Sequence, residues 1–99
     1  DQIVAFLKGD IDLESSPAAR ELLLSNVARN RNLLVDLSAV TYIDSSGVAS
    51  LVEALQASRK NGTDFALAAA SESARRVLEL ARLDKVFTMY DTVDDGLKA

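Results

Sequence analysis

Four consecutive residues, Asp44, Ser45, Ser46 and Gly47, carry most of the chemistry this chain can offer. A carboxylate and two hydroxyls stand directly before an apolar-periodic stretch. That places them at the start of a helix, where backbone amides are unpaired and the dipole is positive. Such a turn tolerates an anion. A second acidic stretch, Gly9, Asp10, Ile11 and Asp12, follows an apolar run near the N-terminus. Asp10, Asp12 and Asp44 together offer oxygen ligands of the kind a hard cation takes. Three carboxylates on two loops are more often simply solvated, and no metal is expected. The chain has no histidine, which removes the Ser-His-Asp triad, the imidazole base and every His-containing metal site. It has no cysteine, so disulfides and thiol chemistry go as well. No GxxxxGK nucleotide loop is present, an enzyme is the class with least support, and no cofactor is expected.

The elements that must position these residues follow from periodicity. Leu33, Leu34, Val35 and Leu37 form a nearly continuous apolar run, broken only by Asp36, as in a strand covered on both faces. After a short loop and the Asp44–Gly47 turn, Val48, Leu51, Val52 and Leu55 recur at i, i+3, i+4 and i+7, with Ser50, Glu53 and Lys60 on the other side. Upstream, Gln2 to Lys8 reads as a strand and Gly9 to Asp12 as its acidic connection to a helix. Ser16 is the expected N-cap of that helix, with Pro17 at its first position. Ala19, Leu22, Leu23 and Val27 should form the buried stripe, with Arg20, Glu21, Ser25 and Arg29 on the wet face. Asn30 to Asn32 supply the next turn.

Downstream, Asn61 and Gly62 signal a helix stop and Phe65 to Ala69 a third strand. Ser71 should cap a third helix ending near Leu83, with Ala74, Val77, Leu78 and Ala81 inward and an ion pair from Glu72 to Arg76. Arg75, Arg76 and Arg82 read as a solvated face. Val86 to Tyr90 is the expected last strand, and Thr92 with Asp95 resembles a capping box before a final helical turn, weakened by Gly96. Residues 1–99 thus read as one α/β domain with a mostly parallel sheet of about four strands alternating with helices. The Gly9–Asp12, Asp44–Gly47 and Ala70–Ser71 connections all fall at strand carboxyl ends and should cluster on one edge.

Composition narrows the partners. A formal charge of −4 is the wrong sign for binding phosphate backbones, so nucleic acid is not expected. With 48% hydrophobic and 26% charged residues the chain reads as a globular domain, and no apolar run is long enough to insert in a membrane. A cytoplasmic location is the default expectation.

Three segments jointly carry a family resemblance. LKGDID before a capped helix resembles the Gly-Glu-Leu-Asp opening of STAS domains, LLVDLSAVTYIDSSGVASL resembles their central signature, and ARLDKVFTMYDTVDDGL resembles their C-terminal segment. The resemblance is to the STAS domains of bacterial anti-sigma factor antagonists, with Gly9, Asp12, Asp44, Ser46 and Gly47 matching the pattern. The departure is at the front, where the family usually has an additional strand before QIVAFLK. The resemblance implies a non-enzymatic regulator whose partner is an anti-sigma factor with serine kinase activity. Phosphorylation of Ser46 would release that partner, with Asp12, Asp44, Ser45 and Gly47 forming the switch surface. Weak pairing into a homodimer stays open. Two other readings also stay open: a constitutive scaffold or accessory subunit of a membrane transport system for lipids or anions, and a purely structural turn. In the latter a serine serves only as a cap, Asp44 only as a turn residue and Gly47 only for tight packing.

Overall fold

The computed structural model describes residues 2–99, along which strands alternate with helices. The elements are β1 (Gln2–Ile11), α1 (Ser16–Val27), β2 (Asn32–Ile43), α2 (Ser45–Asn61), β3 (Phe65–Ala68), α3 (Glu72–Leu80), β4 (Thr88–Tyr90) and α4 (Val93–Lys98), with a 3-10 turn over Leu83–Lys85. The four strands lie in the order β1-β2-β3-β4, and every pair is parallel, the α/β architecture expected. Each strand is laid beside its predecessor, so right-handed crossovers must put the three connecting helices on one face. One buried cluster accordingly joins Leu23 and Val27 of α1, Leu51 and Leu55 of α2, and Leu78 of α3 to Leu7, Val35 and Leu67 of the sheet. Among the described residues the opposite face carries a smaller cluster of Leu34, Ala66 and Ala68, with Val4, Tyr90 and, from α4, Val93 packed against them.

The first two strands outrun the sequence expectation. Gln2–Lys8 extends to Ile11 and Leu33–Leu37 to Ile43, through residues whose Ser, Thr, Gly and Asp content reads as loop. What holds them extended is mutual pairing, up to Ile11 opposite Ile43, with register shifts between Phe6 and Lys8 and between Gly9 and Asp10. β3 accompanies β2 only from Leu33 to Asp36. Among the described strands, β1 alone therefore pairs with the far end of β2. The third connection does not join the other two at that end, since the Ser71 amide donates to the Leu37 carbonyl at 3.4 Å, well short of Ile43.

Helix ends follow local signals closely. Gly62 takes the left-handed conformation at φ 72° that ends α2, Ser71 accepts from the Ala74 amide at 3.2 Å, and Thr92 from the Asp95 amide at 3.0 Å. The Glu72–Arg76 pair is present at 3.2 Å, and Arg75 lies 3.8 Å from Asp91. Several details differ from expectation. Ser15, not Ser16, precedes α1, and Ser16 is buried within the helix. Leu22 is exposed, because among the described residues β1 is the sheet edge and no strand lies beyond it. In α2 the buried residues are Gly47, Ser50, Leu51, Ala54, Leu55 and Ser58, while Val48 and Val52 are only half-buried. α3 stops at Leu80 rather than near Leu83, because Arg82 turns left-handed at φ 61°, and Ala81 is exposed. The last strand starts at Thr88, Phe87 having turned into the core against Phe65. Gly96 lies inside α4 because the helix sits on Leu34; an added Cβ there would lie 2.7 Å from its Cδ2.

Candidate functional site

The site is built where β1 and β2 end together. The Asp44 amide donates to the Ile11 carbonyl at 3.2 Å, which sets the entry to α2 against the exit from β1. Asp44 then turns back on its own helix, one carboxylate oxygen accepting from the amides of Ser46 at 2.9 Å and Gly47 at 3.2 Å. Asp44 is therefore the N-cap, and Ser45 and Ser46 are the first two residues of α2. This corrects the reading of either serine as the cap. Among the described residues neither the Ser45 nor the Ser46 hydroxyl has a hydrogen-bond partner within the chain; Ser46 is engaged only through its amide and carbonyl.

Gly47 has a packing reason to be glycine. A Cβ at that position would lie 2.7 Å from both the Ile11 carbonyl oxygen and Ile43 Cγ1. The first turn of α2 thus rests directly on the paired strand ends, and the presentation of Ser45 and Ser46 depends on that seat.

The neighbouring loop uses its polar groups internally. Asp12 accepts from the amides of Glu14 at 3.1 Å and Ser15 at 3.0 Å. The Ser15 hydroxyl donates to the Asp10 carbonyl at 2.7 Å and accepts from the Asp12 amide at 2.9 Å, with the Asp12 carboxylate 3.1 Å away. The Ser15 amide, then its hydroxyl, holds the Asp12 carboxyl below the usual aspartate range. Asp10 accepts from the Thr41 hydroxyl at 2.6 Å. Each carboxylate considered for a cation is spent on a local donor. Among the described residues no group of three or more His, Cys, Asp or Glu side chains is placed to hold a metal.

Of the residues singled out in the sequence, Asp44, Ser45, Ser46 and Gly47 form one helical turn, and Asp12 follows the strand end beneath it. Gly9 lies back within β1. Sequence reasoning missed the groove beside the turn. Ser46, half-buried, and Ala49 and Ser50 of α2 face Ser16, Pro17 and Leu24 of α1 across an open groove of about 800 Å³. Arg20 of α1 and Glu53 of α2 pair across it. Both were expected on polar faces, but a pair between two helices, far apart in sequence, leaves no local trace. Ser50 was expected to be wet; its burial follows from its hydroxyl, which reaches the Ser46 carbonyl at 3.1 Å and the Ser16 carbonyl at 3.4 Å.

Comparison with known proteins places this geometry in context. Residues 1–96 match the family model described as STAS domain. The chain is 33% identical over 95 residues to the anti-sigma-F factor antagonist RsfB of Mycobacterium tuberculosis, an alignment covering 95% of this chain and 77% of that protein. It is 30% identical to the anti-sigma-B factor antagonist of Listeria monocytogenes, over 87% of this chain and 76% of the relative. The crystal structure of an anti-sigma factor antagonist from Mycobacterium paratuberculosis superposes with a TM-score of 0.88 at 33% identity, covering 98% of this chain and 83% of that one.

Proposed function

The chain belongs to the STAS domain family, and from that premise we propose that it is an anti-sigma factor antagonist, a binding protein rather than an enzyme. Its partner is an anti-sigma factor with serine kinase activity. It binds that partner through the surface around the first turn of α2, and phosphorylation of Ser46 releases it. The observation that carries this reading is the division of labour in the turn. Asp44 supplies the cap, so the Ser46 hydroxyl is left without an internal partner on a half-buried rim. A phosphate there adds about −1.5 to −2 charge beside Asp44 and Asp12, while the amides of the helix start offset part of the repulsion. The fold survives and the docking surface becomes strongly negative at its centre. A partner of this kind places the protein in the cytoplasm, and among the described residues no helix is long and apolar enough to cross a membrane.

Incubation with the cognate kinase and ATP tests the proposal. One phosphate is expected, located on Ser46 and not Ser45 by mass spectrometry. Ser46→Ala should abolish it while keeping partner affinity, and Ser46→Asp should weaken affinity tenfold or more, about 1.4 kcal/mol. If no kinase modifies the turn and both variants bind as tightly as the parent, the switch is lost and a constitutive scaffold takes its place.

A further inference from the structure

We infer that Arg20 takes the phosphate of a phosphorylated Ser46, and that Glu53 is the partner it gives up to do so. The inference rests on the reading of Ser46 as a phosphoacceptor and adds what the chain itself does with the phosphate. Ser46, Ala49, Ser50 and Glu53 recur at i, i+3, i+4 and i+7, so they share the face of α2 that lines the groove. Among the described residues lining that groove, Arg20 is the sole cation. Its carboxylates are Glu21 and Glu53, with Asp44 at the adjoining turn committed to the cap.

The two helices run side by side in the same direction. Ser50 meets Ser16, Glu53 meets Arg20 one turn on, and the Asn61 side chain donates to the Val27 carbonyl at 3.1 Å near their ends. Helical side chains lean toward the helix N-terminus. Arg20 and Glu53 therefore both lean toward Ser46. Two turns, roughly 10 Å of rise, separate Ser46 from Glu53; Ser46 leans the same way, so it is the length of the Arg20 side chain together with that of a phosphoserine that spans the distance.

Energetics favour the exchange. The side chains of Arg20 and Glu53 are 53% and 47% exposed, and a pair so exposed contributes little. A phosphate offers up to twice the charge of a carboxylate and three acceptor oxygens, which a planar guanidinium takes two at a time. Glu53 is left in solvent at small cost. The phosphate is then drawn into the groove and bridges α1 to α2, so modification covers the apolar floor at Pro17, Leu24 and Ala49 as well as changing its charge.

Phosphorus NMR on the whole chain, with phosphoserine installed at position 46 by genetic encoding, tests this. The second phosphate ionisation, ordinarily near pH 6, should move up by about half a pH unit or more in Arg20→Gln relative to the parent. Arg20→Lys, which keeps the charge but loses the fork, should fall between them, and Glu53→Gln should not raise it. Phosphoserine placed at 45 should be indifferent to Arg20→Gln. Equal titration of the parent, Arg20→Gln and Arg20→Lys at position 46 would overturn the inference. Because no kinase takes part, failure of a kinase to modify Ser46 sinks the earlier proposal without touching this result, and equal titrations here leave the earlier proposal standing.

Discussion

The loops that follow β1 and β2 lie side by side, are made of the same residue types, and employ them in opposite ways. After β1, Ser15 is tied through its hydroxyl to both Asp10 and Asp12, and the Asp12 carboxylate gathers two amide donors with that hydroxyl alongside. After β2, Asp44 does the capping alone, and the two serines that follow present hydroxyls to which nothing in the described chain is bonded. A serine whose hydroxyl closes a loop cannot be esterified without opening that loop. One whose hydroxyl is idle can. Position at a helix start does not distinguish the two kinds, since all three serines stand at one; the hydrogen-bond inventory does.

Steric substitution should break the comparison most severely. Gly47→Val pushes a branched side chain into the Ile11 carbonyl and Ile43, both 2.7 Å from where its Cβ must go. A loss toward the upper end of roughly 1–3 kcal/mol is expected in urea unfolding. An unchanged midpoint would mean that α2 does not rest on the strand ends as described. The serines themselves come next. Ser15→Ala should cost about 1 kcal/mol for its lost hydrogen bonds, and Ser46→Ala should fall within about 0.5 kcal/mol of the parent. Equal losses in the two variants would erase the distinction between tied and idle hydroxyls. The smallest effect is in acid. Asp12 has its carboxyl depressed in the folded chain, so its contribution is fully present above the ordinary aspartate value, about 3.9, and is lost as the pH falls through the lower folded value. Stability of the parent should therefore fall more steeply than that of Asp12→Asn below about pH 4, followed by thermal unfolding at successive pH values.

How much of this was legible in the sequence depends on the distance over which each feature is decided. Gly62, Ser71 and Thr92 were readable as helix ends because a cap or a left-handed stop needs only a few neighbouring residues. The extension of β2 through Ser38, Thr41 and Tyr42 was not, because those residues are strand only while β1 stands beside them. The assignment of the cap to Asp44 over either serine turned on where α2 begins, and that is set by the Ile11 contact. Leu22 of α1 reads as core by periodicity, but periodicity does not reveal that this helix lies over β1, the outermost of the described strands. The Asp44–Gly47 stretch was found because its composition is unusual for the start of an apolar helix. The Arg20–Glu53 pair has no such mark, since each residue is an ordinary member of a polar face until the helices are docked.

The sequential strand order has a consequence for synthesis. In synthesis from the N-terminus β1, α1, β2 and α2 precede the other described elements, and the residues of both loops, the groove and the Asp44 cap are all made by Asn61. Each later strand then meets a neighbour already made, rather than having to insert between two. Chains grow over seconds, long compared with helix and hairpin formation. Among the described elements, the edge formed by these two loops is thus the first to acquire its native neighbours, and β3, α3, β4 and α4 are added as a buttress to a surface already drawn.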